Sequence, residues 1–484
     1  MIVIAFVFLV SCFFATQYFL FRKKSLSEVS CKHLDEIPCP GAIPILGNIC
    51  DMFFSYDELW KIARKRALDH YPIYRQNFFN KNNVYLMNPE DIEVIFRDTS
   101  ISKKGSYYDP LRKVVASGLI VNDEESWHSR RKILKKSFDF SVISECIAIF
   151  NKEVISLVSR LQKNINEEVD LNLHVENLIF KITFANFLGN EYSITDKKAE
   201  DYIHAMKTVL EIMLLKKTKP YLNFVWPLLK AKKDEDKSLD EMNTYISKAI
   251  EENSDQYAQK NKTYFNTLDL LLGAPHLFDT EGVRDEITTF VLGSQDATSS
   301  ALSFMLMALA NYPEHQESVY EEIKNILINN QNPTYSDLTS MDYLDRFIKE
   351  CLRLYPPFIM MERTLTKDII TKTGYRLPKG TMVLISLLDI QRNPNLFPNP
   401  EKFDPDRFLL ENNIQRHPFS YIPFGAGPKI CIAQKFAVLA LKAIICGILQ
   451  NFKLEPGTKI ENIEFSRTAN LGVKGGIKVN LKKR

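Results

Sequence analysis

One cysteine, Cys431, stands in a setting where a thiol can become a reactive group. It follows Gly425 and Gly427 in the stretch PFGAGPKICIAQKFA, and glycines allow a backbone to turn or to approach another group closely. The residues after it have the apolar periodicity of a helix, so Cys431 lies near a helix N-terminus. The helix dipole and free N–H groups there favour a thiolate, which is a metal ligand. The alternative is a buried and inert cysteine.

A carboxylate and a guanidinium occur at helical spacing in the stretch FIKECLRLYPP. Glu350 and Arg353 are three residues apart on a helix that Pro356 ends, so they share one face. Arg407, in FPNPEKFDPDRF, offers a second cation. The pattern alone is also compatible with an exposed ion pair, which contributes little to stability.

An aromatic residue and an arginine, Trp127 and Arg131, lie four residues apart in SWHSRRKILKKSF. On one helix face they could present an indole N–H and a guanidinium to carboxylates. They could equally form an ordinary core contact, with the arginine stacked beside the ring.

Small residues interrupt the long apolar helix predicted around Thr289 to Phe304. They either let a flat ligand approach the backbone or allow a close contact between helices; they are Gly293, Ser294, Ala297, Ser299 and Ser300. Asp296 and Thr298 are polar residues in the same apolar helix, and a threonine hydroxyl can bond the carbonyl four residues earlier and bend the helix.

The composition of the 484 residues is that of a globular protein, with 45% hydrophobic and 25% charged residues. A formal charge of +3 does not point to nucleic acid as a partner. No glycine-rich phosphate loop is present, so we expect no NADPH or flavin domain within the chain. The eight cysteines include no CxxC pair, which argues against a zinc site or a disulfide framework and fits a reducing, cytosol-facing compartment.

The first 21 residues carry no charge and would span roughly 30 Å as a helix, the thickness of a bilayer core. Arg22, Lys23 and Lys24 follow, which predicts that the main body stays in the cytosol. A cleaved signal peptide is the alternative, but the basic n-region is missing and the run is long for one. The proline-rich stretch IPCPGAIPILGN, residues 37–48, predicts a stiff connector, either a plain linker or a hinge.

The body of the chain has mainly helical periodicity. The predicted helices cover 125–163, 195–215, 238–259, 281–311, 314–329 and 341–354. The predicted strands are 83–87, 381–386 and 477–481. Residues 388–408 predict a meander of turns, and the charge run Lys230 to Glu241 predicts a solvated loop and helix start.

Together these motifs resemble the cytochrome P450 family, in family order from the N-terminus to the C-terminus. The haem-binding pattern of that family, Phe-Gly-x-Gly-x-Arg-x-Cys-x-Gly, is matched by Phe424 to Ala433. The family's Glu-x-x-Arg pair and the arginine that completes its ion network are matched by Glu350, Arg353 and Arg407. Trp127 and Arg131 match the Trp-x-x-x-Arg that faces a haem propionate, and Arg363 matches another propionate arginine. A looser similarity is to the fatty-acid-hydroxylase clan.

The resemblance implies a mainly α fold with a smaller β region. Residues 1–21 would be a transmembrane anchor, 22–48 a basic flank and proline-rich hinge, and 49–484 a single haem-thiolate catalytic domain. Cys431 would be the axial ligand of the iron in non-covalently bound haem b. The other cofactor-binding residues implied are Trp127, Arg131, Arg363, Phe424, Gly425 and Lys429.

The resemblance also assigns the remaining site residues. Asp296 and Thr298 would be catalytic, and Glu350, Arg353 and Arg407 would be structural. The implied substrate pocket comprises Phe290, Gly293, Ala297, Phe358, Ile359, Met360, Thr468 and Leu471.

Three positions depart from the family pattern. Lys429 replaces an arginine and loses the bidentate fork, and Ala433 replaces a glycine. Ala297 stands where the family has a distal threonine, and Thr298 lies about 100° further round the helix. Gly293 occupies the position at which some members carry a glutamate that esterifies haem, so non-covalent haem is expected.

The function implied is that of a monooxygenase in the endoplasmic reticulum membrane. It would oxidise a lipophilic small molecule (a fatty acid, a terpenoid or a xenobiotic) with O2 and electrons from a separate NADPH-cytochrome P450 reductase, with a b-type cytochrome as a further donor. Candidate docking residues are Lys132, Lys135, Lys136 and Lys435. Ala297 leaves two alternatives open: a peroxide-rearranging isomerase or dehydratase, and a non-catalytic haem-bearing ligand binder.

Overall fold

The computed structural model describes residues 31–78, 81–122, 124–189, 195–257, 266–467 and 470–484. Within those ranges, no helix is both long and apolar enough to cross a bilayer. The predicted anchor, residues 1–21, and the basic residues that follow it lie outside the described ranges.

The described chain is mainly helical, and helix-capping residues mark several helix starts. Ser55 accepts a hydrogen bond from the Glu58 N–H at the start of the first long helix, and Asp279 accepts one from the Gly282 N–H at the start of the longest. The helices are α1 (Tyr56–Asp69), α2 (Pro89–Arg97), α3 (Arg112–Val115), α4 (Glu124–Leu134), α5 (Phe140–Leu161), α6 (Leu171–Phe187), α7 (Asp196–Thr218), α8 (Lys230–Tyr257), α9 (Thr267–Leu272), α10 (Thr280–Asn311), α11 (Pro313–Ile326), α12 (Tyr335–Ser340), α13 (Asp342–Leu354), α14 (Leu387–Gln391), α15 (Leu410–Asn413) and α16 (Gln434–Asn451).

The strands form a smaller β region. They are β1 (Ile73–Phe78), β2 (Lys81–Leu86), β3 (Ser102–Lys104), β4 (Glu168–Asp170), β5 (Met360–Leu365), β6 (Ile369–Ile370), β7 (Arg376–Leu377), β8 (Met382–Ser386), β9 (Phe452–Pro456), β10 (Phe465–Arg467), β11 (Leu471–Val473) and β12 (Lys478–Lys483). The largest sheet has the order β1-β2-β8-β5-β3. Strands β2 and β8 pair in parallel, whereas β3 and β5 are antiparallel with Lys104 opposite Arg363.

Helix α10 runs through the main apolar core, and it is buried on nearly all sides from Gly282 to Leu292 and from Ala301 to Ala310. Most of its buried residues are apolar, as a helix inside a core requires. Since α10 spans Thr280–Asn311, the prediction of a helix over 281–311 is confirmed. The predicted strands 83–87, 381–386 and 477–481 correspond to β2, β8 and β12, and each predicted end lies within two residues of the observed end.

The predicted single helix over 125–163 is wrong. The chain forms α4 and α5, separated by a short 3-10 turn over Lys135–Phe138 and by Asp139 in extended conformation. Asp139 takes the N-cap position of α5, a position that its residue type favours. Apolar periodicity continues across this break, which is why the pattern predicted one helix.

The charge run from Lys230 to Glu241 is helical throughout, so its prediction as partly loop is wrong. Lysines and acids four residues apart form ion pairs along α8: Lys232 with Asp236, and Lys237 with Glu241 at 3.6 Å. Pairs at this spacing stabilise a solvent-exposed helix.

The proline-rich stretch 37–48 is non-helical throughout, as predicted, and it packs against β1. The Arg75 N–H donates to the Pro38 carbonyl at 2.8 Å, and the Asn77 N–H donates to Asn48 Oδ1 at 2.9 Å. Gly47 has φ +64°, and a Cβ there would lie 2.1 Å from the Asn77 carbonyl oxygen. The stretch is thus attached to the sheet, and its role as a hinge to the preceding residues stays a prediction.

Candidate active site

The loop that carries Cys431 is closed on itself and pressed against α2. The Cys431 N–H donates to the Phe424 carbonyl at 2.9 Å. Gly425 and Gly427 have φ of +75° and +68°, the left-handed region that glycine adopts without strain. A Cβ on Gly427 would lie 2.0 Å from the Phe96 carbonyl oxygen. Only glycine fits there, so the loop geometry presents Cys431 in a fixed place just before α16.

The thiol of Cys431 is subject to opposing effects. Burial raises its pKa, while the Ala433 N–H and the Arg131 guanidinium lower it. The sequence predicted that a helix start would favour the thiolate. The Ala433 N–H and Arg131 do stabilise the thiolate, whereas burial favours the protonated thiol. A metal ion bound to the sulfur would displace the proton outright.

Five cations gather beside this loop. Lys104 and Arg363 face each other across β3 and β5, a placement that is destabilising for like charges. Burial, together with the charges of Arg363, Lys429, Arg112 and Arg131, lowers the pKa of Lys104 to about 7. The four charged groups that affect the pKa of Lys104 most strongly are all cations. Such a cluster is suited to a ligand that carries more than one negative charge.

Trp127 joins the cation cluster to the cysteine loop. Its buried ring lies under the Arg131 guanidinium, 5.1 Å from the centroid, and under Lys429 Nζ, 5.5 Å away. Arg131 also donates to the Ile430 carbonyl at 2.7 Å, one residue before Cys431. The site therefore combines one thiol with several cations. Arg363 is held nearby over the Phe96 ring, at 4.9 Å.

One face of α10 is open although the helix is otherwise buried. Gly293, Ala297 and Ser300 lie at i, i+4 and i+7 and are partly exposed. A Cβ on Gly293 would meet nothing within 4 Å. Asp296, the adjacent predicted catalytic residue, is also partly exposed, whereas Thr298 is buried away from this face. The open face can thus admit a flat group, and Thr298 is not on it.

The other predicted pocket residues are only partly brought together. Ser300 donates to the Leu471 carbonyl at 2.8 Å, and the Leu471 N–H donates to the Pro357 carbonyl at 3.0 Å. These bonds join the C-terminal loop and the start of β5 to α10. Phe358 is exposed and Met360 partly exposed, while Ile359 is buried.

Phe290 packs in an aromatic core rather than on the open face. Its ring centroid lies 5.7 Å from that of Phe138 and 5.0 Å from that of Phe187, and the side chain is buried. The position of Thr468, another predicted pocket residue, lies outside the described residues.

The ion pair of α13 is completely buried, so its interpretation as an exposed pair is wrong. Glu350 and Arg353 both have 0% side-chain exposure and bond at 2.7 and 2.8 Å. Arg407 Nε lies 3.4 Å from Glu350 Oε1, as the family pattern implies. Arg353 also donates to the Gln391 carbonyl at 2.9 Å. The network fastens α13 to the meander that leads to the cysteine loop.

Comparison with known proteins decides the family. The family model described as Cytochrome P450 matches residues 37–479. The chain belongs to the cytochrome P450 family. It is 32% identical over 413 residues to the probable cytochrome P450 4ac1 of Drosophila melanogaster, covering 82% of this chain and 81% of that protein. It is also 32% identical to cytochrome P450 4V2 of Homo sapiens, over 83% of this chain and 80% of the relative.

A solved structure shows the same fold. The crystal structure of the cytochrome P450DA heme domain superposes with a TM-score of 0.82 and 20% sequence identity, covering 94% of this chain and 98% of the other. The P450 family and fold imply non-covalently bound haem and the use of O2, and its members are monooxygenases.

The residues of this P450 fit that haem. A thiol that can ligate iron stands beside a cation cluster that can neutralise two propionates, and the open face of α10 leaves room for a flat ring. Arg131, Arg363 and Lys429 were predicted from the family motifs. Lys104 and Arg112 were missed because no motif contains them; the pairing of Lys104 with Arg363 becomes visible only when the strand register is known.

Bound haem supplies oxygen activation, and the protein supplies an anionic sulfur ligand, a pocket and a proton source. Asp296 is the acid on the open side of α10. Although the residue is partly exposed, the protein around its carboxyl group raises its pKa to about 7 by desolvation, against the lowering effect of Lys207. Lys207 itself is ion-paired with Glu176 at 2.6 Å. At neutral pH the Asp296 carboxyl can therefore hold or release a proton, as general acid–base chemistry requires.

Replacement of Gly293 by alanine is expected to stabilise the protein. The added methyl group meets no neighbour within 4 Å, and alanine in a helix interior is favoured over glycine by roughly 0.5–1 kcal/mol. Denaturant unfolding should show this gain, and substrate-induced shifts of the haem spectrum should weaken because the methyl group occupies the open face. Gly118→Ala is the control: its Cβ would lie 2.0 Å from Thr289 Oγ1, and we expect destabilisation. A loss of stability in Gly293→Ala would contradict the open geometry.

Proposed function

We propose that this P450 oxidises a lipophilic small molecule, with fatty acids as the first class to test, using electrons from NADPH-cytochrome P450 reductase. The observation that carries this proposal is the combination of Cys431 in its loop with the five-cation cluster beside it, which fits a haem-thiolate centre. The curated relatives are P450s of the 4ac and 4V types. The pocket side of the site is largely apolar, which favours a lipophilic substrate.

Reductase docking is supported by the surface beside the cysteine loop. Lys132, Lys135, Lys136 and Lys435 are all exposed. A groove of about 750 Å³ adjoins this surface, and Phe424, Gly425 and Lys435 are among its lining residues. An electron donor seated here would be close to the thiolate side of the haem, and basic side chains attract an acidic partner surface.

We further propose attachment to the endoplasmic reticulum membrane, with the catalytic domain in the cytosol. An exposed apolar patch supports this location: it comprises Ile43, Ile45, Leu46, Phe53, Tyr221, Phe224, Val225 and Leu228. The rings of Phe53 and Tyr221 stack at 6.2 Å, so the N-terminal segment and the segment after α7 form one surface. A large exposed apolar patch is typical of a surface that meets a membrane or a partner. Four of its residues, between Ile43 and Phe53, come soon after the uncharged residues 1–21 in the sequence.

The direct test is reconstitution of the full chain with reductase, NADPH, O2 and lipid vesicles. Screening lipophiles for shifts of the haem spectrum would first select ligands, and product analysis would then show one inserted oxygen atom. Absence of NADPH-dependent product for every spectrally active ligand would contradict the proposal.

A second candidate function is favoured by Ala297. The family's distal threonine is missing, and Thr298 is buried away from the open face. A haem-thiolate isomerase or dehydratase that rearranges a lipid peroxide needs neither that hydroxyl nor a reductase. Turnover of a fatty hydroperoxide without NADPH, together with no turnover in the reductase system, would select this function. Consumption of NADPH without any product would instead select a ligand-binding role.

Ala297→Thr is expected to raise the fraction of NADPH consumed that appears as oxidised product. The threonine hydroxyl would stand on the open face, one residue from Asp296, and would add a hydrogen-bonding group where protons are delivered. General acid–base groups typically contribute about 10²–10⁴-fold, so even a misaligned hydroxyl should give a severalfold change. The ratio of product to NADPH is the measurement, and Ala297→Ser and Ala297→Val are the matched controls with and without a hydroxyl. An equal effect of the serine and valine variants would refute the role of the hydroxyl.

A further inference from the structure

Two adjacent acids of α10, Asp285 and Glu286, have no part in the chemistry described above, yet both are buried. Consecutive residues on a helix point about 100° apart, so the two side chains reach different points on the structure packed around the helix. Buried carboxylates are costly unless hydrogen bonds or cations compensate them. Their partners therefore indicate what they do.

Both carboxylates hold the same loop, residues 116–120. Asp285 Oδ2 accepts from the Ser117 N–H at 3.0 Å and from the Ser117 hydroxyl at 2.9 Å. Glu286 Oε2 accepts from the Leu119 N–H at 2.9 Å. Between them, Gly118 lies so close to α10 that a Cβ would stand 2.0 Å from Thr289 Oγ1. The loop is thus fixed to the helix at three consecutive residues.

The loop needs this external support because its own backbone is strained. Ala116 has φ +26° and ψ −79°, outside the conformations that residues with a Cβ prefer. Arg130 of α4 adds a third element: it donates to Glu286 Oε1 at 3.0 Å and to the Ser117 carbonyl at 2.7 Å. Its neighbour Arg131 belongs to the cation cluster.

The same loop also holds a member of the cation cluster on its other side. Lys104 Nζ donates to the Leu119 carbonyl at 3.1 Å and to the Ile120 carbonyl. The N–H groups of Ser117 and Leu119 therefore face the acids of α10. The carbonyl groups of Leu119 and Ile120 face Lys104, the lysine that would meet a propionate. The path from Glu286 to Lys104 passes through one residue, Leu119.

We propose that Asp285 and Glu286 are positioning residues for the haem propionates, acting through the 116–120 loop on Lys104 and through Arg130 on α4. The full effect requires the ionised carboxylate of Glu286, because that form accepts from both Arg130 and Leu119. The proposal concerns retention of haem and does not depend on the substrate or on the reductase.

The geometry makes haem retention sensitive to pH near neutrality. Burial raises the pKa of Glu286 to about 7, against the effects of the Leu119 N–H and Arg130. The charged groups that act on it are Arg130 from α4 and Asp285 on its own helix; the loop presents a backbone N–H. As pH falls through this range, Glu286 becomes protonated and loses its ion pair with Arg130.

Protonation of Glu286 should have opposite effects on haem retention and on the free energy of unfolding. Because the folded-state pKa of Glu286 lies above the ordinary glutamate value of 4.5, the folded protein binds more protons than the unfolded chain between these pH values. This group alone therefore makes unfolding less favourable as pH falls from about 7. The part of haem retention that depends on the ionised Glu286 should be lost over the same range, so the two measurements separate positioning from general destabilisation.

The experiment measures transfer of haem from the loaded full chain to excess apomyoglobin. Glu286→Gln should release haem about tenfold faster than the wild type at about pH 8, the effect of losing one hydrogen bond to a charged group, and at nearly the wild-type rate at about pH 6, where Glu286 itself is protonated. The ratio of the two rates is the readout because Lys104, whose pKa is about 7, gains charge as pH falls in both proteins. Asp389→Asn is the matched control, since Asp389 is also largely buried, ion-paired with an arginine (Arg64) and raised in pKa, but lies on α14. It should keep the wild-type pH dependence.

Ser117→Ala provides a milder variant if Glu286→Gln fails to fold. It removes one hydrogen bond to Asp285 and should accelerate haem transfer severalfold without changing its pH dependence. A wild-type rate and pH profile in Glu286→Gln, or in Ser117→Ala if the former does not fold, would overturn the proposal. Failure of the wild-type chain to bind haem would instead refute the assignment of the haem site.

Discussion

Cys431→Ser is expected to abolish the spectrum and the activity of a haem-thiolate enzyme. The reduced, carbon-monoxide-treated wild-type protein should show the long-wavelength Soret band of sulfur ligation, and the variant should lack it. A serine hydroxyl remains protonated at neutral pH and cannot supply the electron density that a thiolate gives to iron. Monooxygenase turnover should fall by at least about 10³-fold, since this ligand supports O–O cleavage itself.

The matched control is Cys446→Ser, which alters a buried cysteine of the same helix region without touching the loop. Cys446 contacts Met341 Sδ at 3.5 Å and lies away from the cation cluster. That variant should lose some stability but keep the long-wavelength band. Haem chemistry that survived unchanged in Cys431→Ser would remove the basis for the whole site.

Glu350→Gln is expected to prevent stable folding with haem. The substitution leaves the Arg353 guanidinium charged and fully buried without its carboxylate partner, and Arg407 loses its carboxylate partner as well. Breaking a buried ion pair from one side typically costs about 3–5 kcal/mol, a large fraction of the stability of a domain. The free energy of unfolding in denaturant, followed by circular dichroism and by haem absorbance, measures this loss.

Asp201→Asn gives the comparison for an exposed pair. Lys197 and Asp201 are also ion-paired on a helix, at 2.6 Å, but both side chains are exposed. Surface pairs at this spacing contribute about 0.3–0.5 kcal/mol, so this variant should unfold almost as the wild type does. Equal losses in the two variants would show that burial of the Glu350 pair does not matter.

The sequence motifs predicted the parts of the site that depend on residue type and short spacing. Each of these motifs lies within ten residues of sequence: Cys431 with its two glycines, Trp127 with Arg131, and Glu350 with Arg353. Helix α10 was also predictable, because a long apolar segment has the period of a helix regardless of its tertiary contacts.

The parts that could not be predicted depend on contacts between distant segments. Lys104 meets Arg363 only through the register of β3 with β5, and the pattern of either strand alone does not contain that register. The 116–120 loop is held by side chains about 170 residues later in the chain. Burial of Glu350 likewise follows from packing of the meander against α13, which helical spacing cannot reveal.

The pairing of Lys104 with Arg363 has a consequence for the life of the polypeptide in the cell. Without the cofactor, like charges repel at this edge of the sheet, and a propionate bound there would relieve that repulsion. A ligand that binds only the folded chain stabilises it by mass action. The rate at which newly made chains reach the stable folded state should therefore follow the supply of haem. In iron-deficient cells, degradation of this polypeptide should increase before its synthesis falls.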